Sequence, residues 1–245
     1  MCFNASIVKE RDYLEKRFGA RFEEPERYRP LYQAAARSSP SLPIITGDKP
    51  GAIQLVQWGL IPRWARDEKQ ALEIRKATYN ARAETLREKP SFRQSARDRR
   101  CLVLVDGFYE WHEADGRKFP HYIHRSDREA FALAGLWDGW TDPATRQESR
   151  TFTIITTPAN KLLAEIHNTK KRMPAILPRE DEKAWLASDL TREGMASLLR
   201  PCAGGDLQAH TVSKTYLLDK GFEGDPRAIE RFEYPELRSR QARLF

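Results

Sequence analysis

Short apolar runs, separated by turn-forming and charged residues, recur along most of the chain. Runs of this kind, continuous or alternating with polar residues, are typical of β-strands. The segment GDKPG at 47–51 has the composition of a turn. The pattern predicts strands at 42–46 (LPIIT), 52–60 (AIQLVQWGL), 101–105 (CLVLV), 119–125 (FPHYIHR), 131–137 (FALAGLW), 151–157 (TFTIITT) and 207–213 (LQAHTVS), and extended chain at RMPAILP.

Helical spacing of apolar residues occurs in fewer segments. Tyr13, Leu14 and Phe18 share one face of a predicted helix, and Gly19 follows where a C-terminal cap would lie. Pro158 opens PANKLLAEIH, which predicts a short amphipathic helix started by proline. Two late helices are predicted at EDEKAWLAS and TREGMASLLR, and residues 66–77 are predicted to be helical or irregular.

Strands at short spacing, with helices between and after them, predict an α+β fold. We expect one domain over residues 1–235, built of mostly antiparallel twisted sheets with flanking helices. No shift in composition marks a linker, and the basic tail at 236–245 is predicted to be frayed.

Composition narrows the class of protein. The chain has 245 residues, of which 40% are hydrophobic and 31% charged, and this suits a soluble globular protein. No apolar stretch approaches the ~20 residues that span a bilayer, and the first residues lack a signal-peptide pattern. We therefore expect a cytoplasmic protein with no membrane partner. Cys2, Cys101 and Cys202 form no CxxC motif or Cys/His cluster, which predicts neither a disulfide framework nor a metal site.

Positive charge is concentrated in two segments. Residues 81–100 contain seven Lys or Arg against three acids, and residues 161–179 contain five against one, in a chain of net charge +7. Such clustering is expected of a surface that contacts the phosphate backbone of nucleic acid. Two solvated faces would give the same pattern, so charge alone leaves both interpretations open.

Polar residues beside predicted strand ends are the candidates for chemistry. The chain has no Walker A loop, no GxGxxG after a strand, and no HExxH or GxSxG motif. Asn80 and Arg82 lie in YNARAET, Glu110 in DGFYEW and His167 in AEIHNTKKRMP. Aromatic neighbours on both sides of Glu110 predict desolvation, which raises a carboxyl pKa towards general acid–base use. Taken singly, each residue also fits a surface charge or a structural histidine.

Cys2 gains significance if Met1 is removed, which is usual when the second residue is small. The first residue then carries an α-amine, with an unperturbed pKa of about 7.7–8.0, and a thiol with a pKa near 8.5. This pair suits an aldehyde, because the amine forms an imine and the thiol then closes a five-membered thiazolidine. Cys2 belongs to no predicted apolar run and is expected to lie outside the core.

Several motifs, in a characteristic order, resemble those of one protein family. They are Cys2 at the terminus, WGLIPRWA (58–65), NARAET (80–85), RRCLVLVDGFYEW (99–111), AGLW (134–137), TFTIITTPAN (151–160) and IH…RMPAIL (166–177). The set resembles the SRAP family, the SOS-response-associated-peptidase domain proteins now described as abasic-site processing proteins. The resemblance covers about residues 2–215, nearly the whole chain.

The resemblance implies a compact α+β domain that binds single-stranded DNA in a positively charged cleft and crosslinks covalently to abasic sites. The family's catalytic positions carry over to Cys2, Asn80, Glu110 and His167, without a metal or cofactor. Arg82 matches a contact to DNA phosphate. The other residues expected to line the DNA path are Trp58, Trp64, Arg172, Met173 and Pro174. For the two tryptophans a purely structural role is equally compatible with the sequence. We expect a monomer, in the cytoplasm or on the nucleoid when bound to DNA.

Three departures from the family pattern concern local DNA contacts. Phe3 and Asn4 replace the common Gly-Arg after the cysteine, which removes an expected DNA-contacting arginine. YQAAARSSPSLPII at 32–45 stands in place of the common YNxAP segment, and NTKK separates His167 from RMP. The four catalytic positions are retained.

The favoured hypothesis is that Cys2 forms a thiazolidine with the ring-opened sugar of an abasic site and so shields the lesion in the DNA damage response. One alternative is an N-terminal-nucleophile cysteine peptidase, in which Cys2 and His167 form a thiolate pair that acts mainly on Met1. Lyase activity on the lesion is a further expectation from the family. A second alternative is a non-catalytic module that binds intact and abasic single strands equally.

Overall fold

Two β-sheets with short helices at their edges make up the fold of the computed structural model, which describes residues 2–202, 205–218 and 221–237. The strands are β1 (Asn4–Ile7), β2 (Arg21–Phe22), β3 (Leu31–Ala35), β4 (Ser41–Thr46), β5 (Lys49–Trp58), β6 (Asn80–Arg82), β7 (Arg100–Val105), β8 (Gly107–Ala114), β9 (Arg117–Arg125), β10 (Phe131–Thr141), β11 (Glu148–Pro158), β12 (Arg172–Pro174), β13 (Ile176–Leu177) and β14 (Leu207–Thr211). The α-helices are α1 (Arg11–Phe18), α2 (Glu68–Ala77), α3 (Ser95–Asp98), α4 (Lys161–Ile166), α5 (Glu182–Leu186), α6 (Arg192–Leu198) and α7 (Thr215–Leu218).

The smaller sheet has five antiparallel strands in the order β14-β9-β8-β1-β3. Strand β1 lies between β8 and β3, and its register places Asn4 opposite Tyr109 on one side and Ala35 on the other. The first strand of the chain is therefore internal to its sheet. It carries Cys2 to the part of β8 that contains Glu110.

The larger sheet has nine strands and closes on itself. Its main order is β12-β11-β10-β7-β4-β5-β2, and β11 pairs again with β5, in parallel, through Thr151–Gln57 and Phe152–Trp58. Strands β11, β10, β7, β4 and β5 thus form a closed ring. Strand β6 joins β11 in parallel and places Asn80 beside Ile154.

The interior of this ring is tightly filled. Every residue of β7 is buried, as expected for a strand covered on both faces. A Cβ atom added to Gly135 would lie 2.8 Å from Cys101 Sγ and 2.8 Å from Val103 Cγ2. Only glycine leaves room for β7 and β10 to approach this closely.

The predicted α+β class with mostly antiparallel sheets is confirmed, and a strand or helix lies at each segment that the pattern marked. Gly19, with φ of 64°, caps α1 through its N–H to Glu15 O, as predicted. Strands β1, β2, β3, β6 and β8 were not predicted. Asn80 and Glu110, placed beside strand ends by the sequence, lie inside β6 and β8.

The helix predicted to begin at Pro158 begins later. Pro158 is the last residue of β11, where it pairs with Arg172, and the N-cap of α4 is Asn160. Asn160 Oδ1 accepts a hydrogen bond of 2.9 Å from Leu163 N. A side-chain N-cap of this kind satisfies a free helical N–H, so the asparagine, not the proline, sets the start of the helix.

No helix within the described residues is long and apolar enough to cross a membrane. The predicted frayed tail at 236–245 lies outside the described residues from position 238 onward. The extent of the domain, residues 1–235, stays a prediction.

Candidate active site

Cys2 stands directly before β1 and is fully buried. Its Sγ lies 3.6 Å from Asn4 O. The expectation that Cys2 lies outside the core was wrong, because the thiol packs into the main apolar cluster between the two sheets. Phe3, which replaces the glycine common in the family pattern, is half-buried and meets the ring of Tyr79 edge-on at 6.2 Å.

Asn80 connects the two sheets at this point. Its Nδ2 donates a hydrogen bond of 2.8 Å to Cys2 O, although 78 residues separate the two in sequence. Asn80 Oδ1 is buried and accepts no hydrogen bond from the described residues. The amide therefore fixes the backbone of Cys2 and keeps one acceptor available at the site.

Glu110 is the buried carboxyl of the site. Its residue is 2% exposed, and Oε2 lies 3.4 Å from His167 Nδ1. Burial raises the pKa of Glu110 to about 7, in the direction that its aromatic neighbours predicted. A carboxyl with this pKa exists in both protonation states at neutral pH, which suits it to donate and accept protons.

His167 ends helix α4 and faces Glu110. Its Nδ1 also lies 2.9 Å from Arg172 O, and because a carbonyl oxygen can only accept, Nδ1 carries the proton in the neutral ring. Burial lowers the pKa of His167, so the ring is neutral at pH 7 and Nε2 is its basic nitrogen.

The Cys2 thiol is held in its protonated form. Burial, and then the negative charge of Glu110, raise the pKa of Cys2 far above its usual range. A thiolate–imidazolium pair needs a thiol pKa below normal. The electrostatics therefore oppose the thiolate pair of Cys2 and His167 that a cysteine peptidase would use.

Residues 1–216 match the family model of the SOS response associated peptidase, abbreviated SRAP. The chain belongs to the SRAP family. An abasic site processing protein of Bacillus subtilis (strain 168), YoqW, is 38% identical over 233 residues, which cover 94% of this chain and 99% of that protein. Chicken HMCES, also named an abasic site processing protein, is 31% identical over 79% of this chain and 66% of its own length.

Solved structures agree with this assignment to the SRAP family. A crystal structure of a protein from Bacteroides thetaiotaomicron has a TM-score of 0.89 and 38% sequence identity, and covers 95% of this chain and 100% of its own. One from Bordetella bronchiseptica has a TM-score of 0.74 and 26% identity over 86% of this chain and 100% of its own.

Of the residues expected to line a DNA path, Trp58, Met173 and Pro174 are buried in this SRAP fold. Trp58 Nε1 donates a hydrogen bond of 2.8 Å to Tyr79 O, and its ring stacks on Phe152 at 6.1 Å. Met173 belongs to the main apolar cluster. In the structure without DNA these three side chains support the closed ring of strands, and their contact with DNA stays a prediction.

Trp64 and Arg82 are the exposed members of the same set. Trp64 is 41% exposed, with its Nε1 3.3 Å from Pro90 O. Arg82 ends β6, two residues after Asn80, and is also exposed. Both can be reached by a ligand without rearrangement of the core.

Arg172 is engaged inside the protein. Its Nη2 donates to Glu84 Oε2 at 3.0 Å and to Thr156 O at 2.6 Å, and the residue is 9% exposed. The guanidinium holds β12 against β11 in this way, and the expected contact of Arg172 with DNA stays a prediction.

Two site residues were missed by sequence reasoning, and both lie in the segment NTKK. Asn168 Nδ2 donates to Glu113 O at 2.8 Å, and Asn168 Oδ1 accepts from Glu113 N at 3.0 Å. Lys170, exposed at the tip of this loop, exerts its charge on both Glu110 and His167. The departure of NTKK from the family pattern was the signal that could have identified them.

A cavity of about 870 Å³ lies apart from these residues, between α1 and α5. Its lining includes Arg17 and Glu182 but none of the four candidate catalytic residues. Within the described ranges, no three His, Cys, Asp or Glu side chains are grouped so as to hold a metal ion.

Proposed function

We propose that this SRAP protein processes abasic sites in single-stranded DNA by linking Cys2 covalently to the opened sugar. The observation that carries the proposal is that Asn80 bonds to Cys2, the residue that starts the processed chain, and that Glu110, paired with His167, acts on the Cys2 thiol. The names of the relatives, abasic site processing proteins, supply the class of substrate. No peptide substrate is needed to account for the site.

The bond changes balance with the loss of one water. The neutral α-amine of Cys2 adds to the C1′ aldehyde of the open sugar and gives a carbinolamine. Protonation of its hydroxyl releases water, and loss of the nitrogen proton to the carboxylate that gave the first proton leaves an imine. Cys2 Sγ then adds to the imine carbon while the thiol proton passes to the imine nitrogen, which closes the thiazolidine. These are proton transfers and additions, so a redox cofactor is not required.

Glu110 is assigned the proton transfers at the carbinolamine. Its pKa of about 7 lets the acid form protonate the departing hydroxyl and the carboxylate take a proton from the attacking amine. His167, with Nε2 as its basic nitrogen, is assigned the sugar hydroxyl in ring opening and in reversal of the adduct. Asn80 holds the Cys2 carbonyl so that amine and thiol present to one carbon.

The protonated thiol favours this function over the peptidase alternative. Imine formation uses the amine first and needs the thiol only after the carbon is activated, whereas peptide hydrolysis needs a thiolate at the start.

The finer assignments made from the sequence belong to the same proposal: a monomer, action in the cytoplasm or on the nucleoid, and lesion shielding in the DNA damage response. Lyase activity is part of it too, whereas removal of Met1 by the protein itself belongs to the peptidase alternative.

The direct test is a denaturing gel of the protein mixed with three single-stranded oligonucleotides. One contains an abasic site, one is intact, and one carries a reduced sugar that has no aldehyde. A heat-stable band of added mass is expected with the first only. Intact-mass measurement of the same sample should show an adduct only on chains that lack Met1. Turnover of peptides without any DNA adduct would favour the peptidase instead.

Arg82→Ala is expected to weaken binding to single-stranded DNA and to lower the salt dependence of binding. Loss of one phosphate contact reduces the slope of log K against log salt by about 0.7 for a single strand. Fluorescence anisotropy over a salt series measures both quantities. Arg97→Ala, an exposed arginine on α3, serves as the matched control; equal effects of the two changes would place the DNA elsewhere.

Arg99, another arginine of the basic segment 81–100, is unsuitable as that control. It is 7% exposed, and its guanidinium pairs with Asp98 and with the buried Asp138. Removing it would leave a buried carboxylate short of a partner, which destabilises the fold.

His167→Ala is expected to slow adduct formation only modestly, by less than tenfold. The reason is that its proton transfer is assigned to the sugar hydroxyl, whereas the amine attack depends on Glu110. Reversal should change more, and it is measured by chasing a preformed adduct with excess unlabelled abasic DNA. Formation impaired as strongly as in Glu110→Gln would contradict this division of roles.

A further inference from the structure

The loop between α4 and β12 is braced at several points. Lys171 N donates to His167 O at 2.8 Å and Ala159 N donates to Lys171 O at 3.0 Å. Asn168 makes its two hydrogen bonds to the backbone of Glu113 on β8. This strand also carries Glu110, so the loop and the catalytic carboxyl form one rigid unit.

Lys171 occupies the left-handed region, with φ of 48°, and completes the tight turn. The tip of the loop, Thr169 and Lys170, is exposed. Lys170 makes no ion pair with a described acidic side chain. The bracing therefore fixes the backbone on both sides of Lys170, whose exposed ammonium lies at the tip of a loop that begins at His167 and acts on His167 and Glu110 through its charge.

An abasic sugar inside a DNA strand brings a phosphate on each side. We propose that Lys170 binds one of the two phosphates that flank the abasic sugar and so positions the C1′ aldehyde between Cys2 and Glu110. This rests on the proposed function and deepens it: the preferred substrate is an abasic site within a strand, whose flanking phosphate is present and charged. Lys170 is a positioning residue and takes no part in the bond changes.

The charge of Lys170 also acts on Glu110. Burial is the main cause that raises the pKa of Glu110, and the Lys170 charge opposes it by favouring the carboxylate. Loss of that charge is therefore expected to raise the pKa of Glu110 further. The other titratable groups near Glu110 are unchanged in this comparison. They are the Cys2 thiol, the α-amine at the start of the chain, His112 on the same strand, His121 opposite on β9 and His167.

The test removes one charge from the protein, one charge from the DNA, or both, and compares the rates. Adduct formation is followed for wild type, Lys170→Met and Lys170→Arg. The matched control is Lys161→Met, an exposed lysine at the start of α4. Each is given an abasic oligonucleotide with ordinary phosphates and two in which a neutral methylphosphonate replaces the 5′ or the 3′ flanking phosphate. Rates are measured below saturation across a pH series.

One methylphosphonate is expected to slow wild type by about two- to fivefold and to leave Lys170→Met unaffected. Lys170→Met should match that slower rate on ordinary DNA, Lys170→Arg should restore the faster one, and Lys161→Met should resemble wild type. The pH midpoint of the rate should rise in Lys170→Met alone.

If both methylphosphonates slow wild type and Lys170→Met by equal factors, or if neither slows wild type, the proposal is overturned while the adduct itself stands. Absence of any adduct in wild type would overturn the proposed function and this inference together.

Discussion

Replacing Cys2 with alanine is expected to abolish the heat-stable DNA adduct completely. Alanine keeps the α-amine, which can still form an imine with the aldehyde, but it has no sulfur to close the thiazolidine. The imine hydrolyses on heating, and borohydride should trap it as a stable amine. The measurement is a denaturing gel with and without borohydride, with intact-mass confirmation that Met1 is absent.

Two other cysteines provide controls for this change. Cys101 is as fully buried as Cys2, and Cys202 is partly exposed. Cys101→Ala tests the cost of removing a buried sulfur, about 1 kcal/mol for a small cavity, without touching the site. Both controls should form the adduct at wild-type yield. Heat-stable crosslinking by Cys2→Ala at the wild-type level would refute the thiazolidine mechanism.

Glu110→Gln is expected to slow adduct formation by about 10²-fold, the low end for general acid–base catalysis. The amide keeps the size of the side chain but cannot exchange protons. Wild-type rates should change around pH 7, because burial raises the pKa of Glu110 to about 7, and the variant should lose that dependence. Single-turnover rates across a pH series, on gels, give both results.

The same variant has a stability signature with a definite sign. The folded pKa of Glu110 lies above the unfolded value of about 4.3. The contribution of its neutral carboxyl is therefore fully present below about pH 4.3 and is lost as the pH rises through about 7. Glu110→Gln should gain stability relative to wild type between these limits, by about 3 kcal/mol. Denaturant unfolding at the two pH extremes measures the gain.

Glu113→Gln is the matched control for Glu110→Gln. Glu113 lies on the same strand and is half-buried, but the contacts that anchor the loop use its backbone, which the change preserves. It should retain the wild-type rate and pH profile. A Glu110→Gln variant as fast as Glu113→Gln, with an unchanged profile, would make Glu110 a structural residue.

Local patterns predicted the strands well because each apolar run marks a buried stretch whatever it pairs with. Pairing itself is not local. The parallel contact of Phe152 with Trp58, which closes the ring, joins segments that are far apart in sequence, and no run of residues encodes it. Strands β1 and β3 escaped prediction because NASI and LYQAA contain small and polar residues in place of a strong apolar pattern.

In the candidate site, too, the sequence indicates residue identities but not the contacts between distant residues. Residue type and motif identified Asn80, Glu110 and His167, but their mutual contacts depend on three strands and a helix meeting. Trp58 and Trp64 look alike within WGLIPRWA. One bonds to Tyr79 O in the core and the other lies near Pro90 O at the surface, a difference set by the tertiary partner. Burial of the Cys2 thiol likewise depends on distant residues.

Because β1 is an internal strand, removal of Met1 is expected to precede the pairing of β1 with β8. This strand leaves the ribosome first, yet its partner β8 is synthesised about a hundred residues later, on the order of ten seconds at roughly 5–20 residues per second. Until then the N-terminus is open to a methionine aminopeptidase. Once β8 pairs with β1 and Asn80 donates to the Cys2 carbonyl, Cys2 is fully buried, and we expect cleavage of the bond before it to slow. Overproduction that outruns the aminopeptidase should therefore yield a folded, inactive fraction that still carries Met1.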